Sequence, residues 1–245
     1  MIQFYAPDIT TTGILPADES RHCCKVLRHR SDDVICVIDG LGERYQCRIV
    51  DPDPRATQVE IISSEAIGRH WHENITLAVA PTKNMDRLEW MTEKAVEIGV
   101  DSIVPLLCTH SERKVVKTER LVNIAVSAMK QSLKTTLPTV APLTPFKSFM
   151  AECSRQRIQN PGLQLFMGYC DATYPRKELI REYSPGSDVI ILIGPEGDFS
   201  PEEVKEAVRV GFVPVTFGPS RLRTETAAIT ALNAIHFLNE QHDEH

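Results

Sequence analysis

No stretch of this 245-residue chain approaches the roughly 18 consecutive apolar residues that a membrane-crossing helix needs, so no span is expected. The opening residues MIQFYAPDIT lack the basic-then-apolar pattern of a secretory leader. Cysteine is present but unorganised: the seven, at 23, 24, 36, 47, 108, 153 and 170, are odd in number and never spaced C-x-x-C. That argues against a disulfide framework and against a metal site, and it fits a reducing cytoplasm. No G-x-G-x-x-G follows an early strand and no G-x-x-x-x-G-K-[ST] occurs, so the common dinucleotide and triphosphate cradles are missing. No internal repeat or low-complexity tract is found. Positive charge is not in excess either. A net charge of −6 excludes a protein that grips nucleic acid over its whole surface, while a local basic patch stays open.

What is present reads as a soluble globular chain of one or two domains. In residues 1–70, VICVID (34–39), YQCRIV (45–50) and TQVEIIS (57–63) are short strands at hairpin spacing, separated by Asp39-Gly40 and by DPDPR (51–55). The pattern predicts a small β-barrel with one short helix over 18–28. GRHWHE (68–73) reads as a linker, with Trp71 packing between domains. Residues 74–245 alternate strands and helices, the mark of an α/β domain. Strands are expected at 75–80, 102–107 and 164–169, the last ending before a CDAT turn (170–173). Helices are expected at 84–98, with Gly99 as its stop, and at 118–132. The tail QHDEH (241–245) is expected to be disordered.

The most informative stretch runs from Asp188 to Glu240. VIILI (189–193) suits a strand buried on both faces, and Gly194-Pro195-Glu196-Gly197 must be a loop. Ser200-Pro201-Glu202-Glu203 combines an N-cap serine, a proline at the first helical position and a glutamate three residues after the cap. Gly211 ends that helix, VPVTF (213–217) is another strand, and Gly218-Pro219 breaks it. Thr224 is placed to cap a last helix whose Ala228, Ile229, Leu232, Ile235 and Leu238 share one stripe. Two strands thus end in loops that feed helices, where parallel sheets bind ligands. The loops carry Glu196, Asp198, Arg221, Arg223 and Glu225. Singly, each also fits a solvated turn; together they favour a site.

IGPEGDFS (193–200) and GPSRLRTETAA (218–228) resemble the paired motifs of the RsmE family of ribosomal RNA methyltransferases, in the SPOUT superfamily. HCCKVLRHR (22–30), MTEKAVEIGVDSIVPL (91–106), SERK (111–114) and AMKQS (128–132) extend the resemblance over nearly the whole chain. Asp198 stands where many members have glycine, and Pro219-Ser220 fall where the family loop varies. Periodicity alone would give an ordinary doubly wound sheet, since threaded chains are rare. The resemblance implies instead a trefoil-knotted parallel sheet behind an N-terminal PUA-like RNA-binding barrel, with dimerisation through the knotted region. It also implies S-adenosylmethionine as cofactor. The substrate it implies is the N3 position of one uridine in the 3′ part of 16S rRNA, in the assembled small ribosomal subunit.

N3 methylation requires loss of an imide proton, alignment with a sulfonium methyl and a base drawn out of its stack. On the resemblance, Gly168, Ile193, Gly194, Glu196, Gly197, Gly218, Leu222, Arg223 and Thr226 are the cofactor-binding candidates. Glycine would let backbone approach the ligand. Arg223 is the candidate for stabilising charge on the uracil or for holding a phosphate. Glu225 could orient Arg223 or accept the proton; equally, it reads as a first-turn helix acid. Arg28, Arg113, Lys114 and Arg120 are RNA-backbone candidates, with solvated helix faces as the plain alternative. Other readings stay open at this level: ribose 2′-O or guanosine N1 methylation, a non-catalytic RNA-binding assembly factor, and a pyrimidine C5 methyltransferase using Cys170. Against the last, a free cysteine is usually a small buried hydrophobe.

Overall fold

A computed structural model describes residues 2–171 and 174–243, the side chain of Asp243 excepted. Two compact units result: the chain up to His70 together with Val126–Leu137, and Trp71–Ala125 together with the residues from Pro138 onward.

The first unit is built on a four-stranded sheet, β1 (Gln3–Tyr5), β2 (Val34–Ile38), β3 (Glu43–Asp51) and β4 (Gln58–Ala66), in that order. β2, β3 and β4 are antiparallel neighbours, as the turn-punctuated sequence predicts, and an isolated bridge joins Ile14 to Gln58. β1 is an addition: QFY was not read as a strand, yet it pairs parallel to β2 and buries Phe4. The single helix expected over 18–28 is instead α2 (Ala17–Arg21) running into a π-turn (His22–Val26), after the short α1 (Ile9–Thr12). Phe4, Ile9, Leu15, Cys23, Val37 and Ile49 form the centre of this unit's core. Burying their apolar surface is the main driving force holding the sheet to α1 and α2.

The second unit is a parallel sheet whose long strands are β5 (Ile75–Val79), β6 (Ser102–Leu107), β9 (Gln164–Gly168), β11 (Val189–Ile193) and β12 (Val213–Thr216). Short strands β7 (Thr139–Val140), β8 (Thr144–Pro145) and β10 (Lys177–Glu178) lie at its margins, and every pairing is parallel. Across the long strands the order is β12-β9-β11-β5-β6. Every residue of β11 is buried, which explains its unbroken apolar run.

The helices are α3 (Met85–Ile98), α4 (Thr118–Gln131), α5 (Phe146–Gln159), α6 (Leu179–Glu182), α7 (Pro201–Val210) and α8 (Thr224–Asp243). Their ends follow the sequence signals. The Asn84 side chain accepts from the Asp86 N–H to start α3, and Gly99 stops it. Ser200 and Glu203 form a reciprocal capping box at α7, with Pro201 in its first turn. After β12 the chain turns back across the sheet, because α8 packs on α3, β5 and β11.

Three further features bear on the sequence reading. Trp71 lies within the second unit, edge-on to His236 at 5.3 Å, its Nε1 donating to Asp101 Oδ2 at 3.0 Å. α5 was not foreseen. The expected disordered tail is helical through Asp243, because α8 continues its packing to the buried Asn239; Glu244 and His245 lie outside the described residues. Ala172 and Thr173 of the expected CDAT turn also lie outside them.

Candidate active site

The carboxyl ends of β9, β11 and β12 open onto one cavity of about 1380 Å³. Its walls are the loops that follow those strands: Gly168–Asp171, Gly194–Phe199 and Thr216–Thr224. Parallel strands all point their carboxyl ends the same way, so adjacent loops gather there. The late turns meet directly, for the Thr224 hydroxyl donates to the Gly194 carbonyl at 3.1 Å. This replaces the capping role expected of Thr224.

Glycine is required at these loops for reasons other than ligand approach. A Cβ on Gly168 would lie 2.8 Å from the Phe217 ring, and Gly218 has φ +126° with open space around it. One is fixed by crowding, the other by backbone conformation.

Of the residues expected at the cofactor, Gly168, Ile193, Gly194, Glu196, Gly197, Gly218, Leu222 and Arg223 all line the cavity. Thr226 does not; it is exposed on α8, and its carbonyl accepts from the Thr230 hydroxyl. Glu225 is also absent from the walls. It is buried, and Arg87 Nε stands 3.7 Å from its Oε1. The Arg223 guanidinium has no partner among the described residues and is exposed. Arg221 and Lys205 also line the cavity, exposed. Lys205 was missed, although it lies one helical turn beyond Pro201, on a helix whose start was legible.

Two carboxylates of the charge set, Glu196 and Asp198, and the helix-start Glu203 have structural work. Glu196 Oε1 accepts the Lys83 N–H at 3.0 Å, in the loop after β5. Glu203 Oε1 accepts the Thr109 N–H at 2.8 Å, after β6, and its other oxygen accepts the Ser200 N–H at 2.9 Å. Asp198 Oδ2 accepts the Cys170 N–H at 3.2 Å, after β9. Three acids of one segment thus satisfy backbone donors in three other loops, in charge-assisted bonds.

Cys170 is exposed in the cavity, but its thiol is pushed up, first by burial and next by Asp198; Arg221 and Arg176 pull the other way. A thiol that resists ionisation is a poor nucleophile.

Among the RNA-backbone candidates, Arg113 is turned inward. Its Nε donates to the Thr82 carbonyl at 3.1 Å and its Nη2 to that of Lys83 at 2.5 Å. Arg120 Nε lies 2.6 Å from Glu89 Oε1. Arg28 and Lys114 are exposed without an internal partner among the described residues. Arg28 has φ +61°, so its place on the surface is set by a left-handed backbone.

The fold and the cavity at the ends of β9, β11 and β12 define a SPOUT-class methyltransferase domain joined to a PUA-like unit. Models of two families agree: that of the RNA methyltransferase domain matches residues 69–236, and that of the RNA methyltransferase PUA domain matches residues 15–62. The chain belongs to the RsmE family of RNA methyltransferases. It is 27% identical to ribosomal RNA small subunit methyltransferase E of Bacillus subtilis (strain 168), over 96% of this chain and 92% of that protein. Among solved structures, a probable rRNA-methyltransferase from Porphyromonas gingivalis shares 42% identity with TM-score 0.91, covering 99% of this chain and 100% of that one. Ribosomal RNA small subunit methyltransferase E from Neisseria gonorrhoeae, solved bound to S-adenosyl methionine, shares 28% with TM-score 0.83, over 97% and 98%.

Proposed function

We propose that this protein methylates N3 of a uridine in the 16S rRNA of the small ribosomal subunit, using S-adenosylmethionine held in the cavity at the ends of β9, β11 and β12. One observation carries the reading: two late turns and the β9 loop close a single cavity, and in its wall stands Arg223, an arginine with no partner among the described residues. The cavity suits the donor's chemistry. Ile193, Val215, Phe217 and Leu222 offer an apolar slot for an adenine ring, while Glu196, Asp198 and Glu202 supply negative charge that favours a sulfonium and an amino group. When bound, the donor supplies an electrophilic methyl carbon.

The chain's own residues do the rest. The Gly194–Gly197 and Gly218–Leu222 loops hold the donor, and Arg223 stabilises the charge that grows on the uracil as N3 loses its proton. Lys205 and Arg221 hold flanking phosphates, and Arg28 and Lys114 extend the backbone contacts. Glu225 and Thr226 are left out of the reacting groups, because neither lines the cavity. The proposal also divides the labour: residues 1–70 hold RNA, and residues from 74 onward carry the methyl transfer. A homodimer belongs to the same reading. Its support is the family resemblance and the exposed Trp90 on α3 and Phe237 on α8, helices that pack on each other. Small-subunit assembly places the work in the cytoplasm.

The test uses small subunits from cells lacking the gene, incubated with enzyme and donor, followed by nucleoside mass spectrometry. The expected product is 3-methyluridine, and Arg223→Ala slows its formation by about a hundredfold. A 2′-O-methyl nucleoside or N1-methylguanosine in its place rejects the N3 assignment. An unslowed variant rejects the role of Arg223.

A further inference from the structure

We infer that Asp198 is a positioning residue that fixes the β9 wall of the cavity and thereby sets how tightly the methyl donor is held. Asp198 has φ +63°, in the left-handed region that glycine adopts freely and other residues adopt at a cost. Aspartate is among the side chains that tolerate this conformation, and here each oxygen has a task. Oδ1 accepts the N–H of Phe199 at 2.9 Å, steadying its own turn. Oδ2 accepts the N–H of Cys170 at 3.2 Å, across in the loop after β9.

The rest of the residue is held as firmly. Its own N–H donates to the Pro195 carbonyl at 2.8 Å, and its carbonyl faces His110 Nδ1 at 3.0 Å, which fixes that ring nitrogen as the donor. The next peptide is held as well, since Arg176 Nη1 donates to the Cys170 carbonyl at 2.8 Å. Cys170, Asp171, Arg176 and Asp198 all line the cavity. The wall between β9 and the donor is therefore clamped at one residue, its N–H held by an acid and its carbonyl by a base. Releasing the acid frees the Cys170 N–H while leaving the sheet intact.

The inference rests on the reading of this cavity as the donor site, and the experiment keeps the two apart. S-adenosylmethionine and S-adenosylhomocysteine are titrated calorimetrically into wild type, Asp198→Gly and Asp198→Asn, and amide hydrogen exchange is followed at Cys170. Glycine relieves the left-handed backbone and so offsets part of the cost of the two lost hydrogen bonds; Asp198→Gly is expected to stay folded and melt within a few degrees of wild type. It should nevertheless bind both ligands about tenfold more weakly, with faster exchange at Cys170 and an unchanged KM for the RNA substrate. Asparagine keeps the backbone conformation and can accept only one of the two N–H groups, so Asp198→Asn should fall between. Wild-type affinity and Cys170 protection in Asp198→Gly would overturn the inference while leaving the donor site standing. A wild-type protein that binds neither ligand would remove both.

Discussion

At the scale of single residues, the site divides into groups that face the cavity and groups that hold it in shape. Arg223 belongs to the first kind and Asp198 to the second. Cys170 also lines the cavity, yet its thiol is pushed up by burial and by Asp198. It should therefore stay protonated near neutral pH and form no bond to a base. Cys170→Ser is expected to retain methyl transfer near the wild-type rate, measured by nucleoside mass spectrometry; loss of the reaction would revive a thiol mechanism. The eight cavity-lining residues named from sequence were legible because glycine-bearing loops after buried strands are a local signal. Glu225 and Thr226 lie outside the cavity wall, since a first-turn helix residue can face either way and only packing decides. The charge of Glu225 is answered by Arg87, which lies far from it in sequence.

At the scale of elements, α7 shows how a helix start can serve the site. Ser200 caps it, and the Glu203 of the same capping box reaches on to Thr109. Ser200→Ala should cost about 1 kcal/mol in denaturant unfolding, the usual loss for one cap bond. Glu203→Ala should cost more, roughly 2 kcal/mol or above, because it strands two backbone donors in a buried setting. Equal effects would show that the Thr109 bond adds nothing. The capping box, the α3 stop at Gly99 and the buried run of β11 could all be read along the chain. β1 could not, since three residues carry too little periodicity to register. α5 was within reach: Phe146, Phe149, Met150 and Cys153 are buried at helical spacing, but a sparse apolar stripe hid them among charged neighbours.

At the scale of the molecule, burial controls how the protein responds to alkali. The Cys23 and Cys153 thiols and the Tyr183 phenol are each pushed up to about 12, chiefly by burial. In an unfolded chain such groups lose their protons near about 8.5 and about 10 respectively. Between those values and 12 the folded state holds more protons than the unfolded one, so stability falls as pH rises. The denaturant midpoint should be lower at pH 10.5 than at pH 7; an unchanged midpoint would contradict these protonation states. The strand order was the part least open to sequence reading. Alternation of strands and helices says that a sheet forms, but not which strand lies beside which.

That order has a consequence during synthesis. β11 sits between β9 and β5, yet it emerges from the ribosome after both. Until residue 193 is available, a nascent chain holds two apolar strands with unmatched backbone edges and a vacant lane between them. Such edges invite pairing with other chains. The growing polypeptide therefore passes through an adhesive interval that closes only when its last quarter arrives, and a message cut short in that interval would yield aggregates in place of a smaller enzyme.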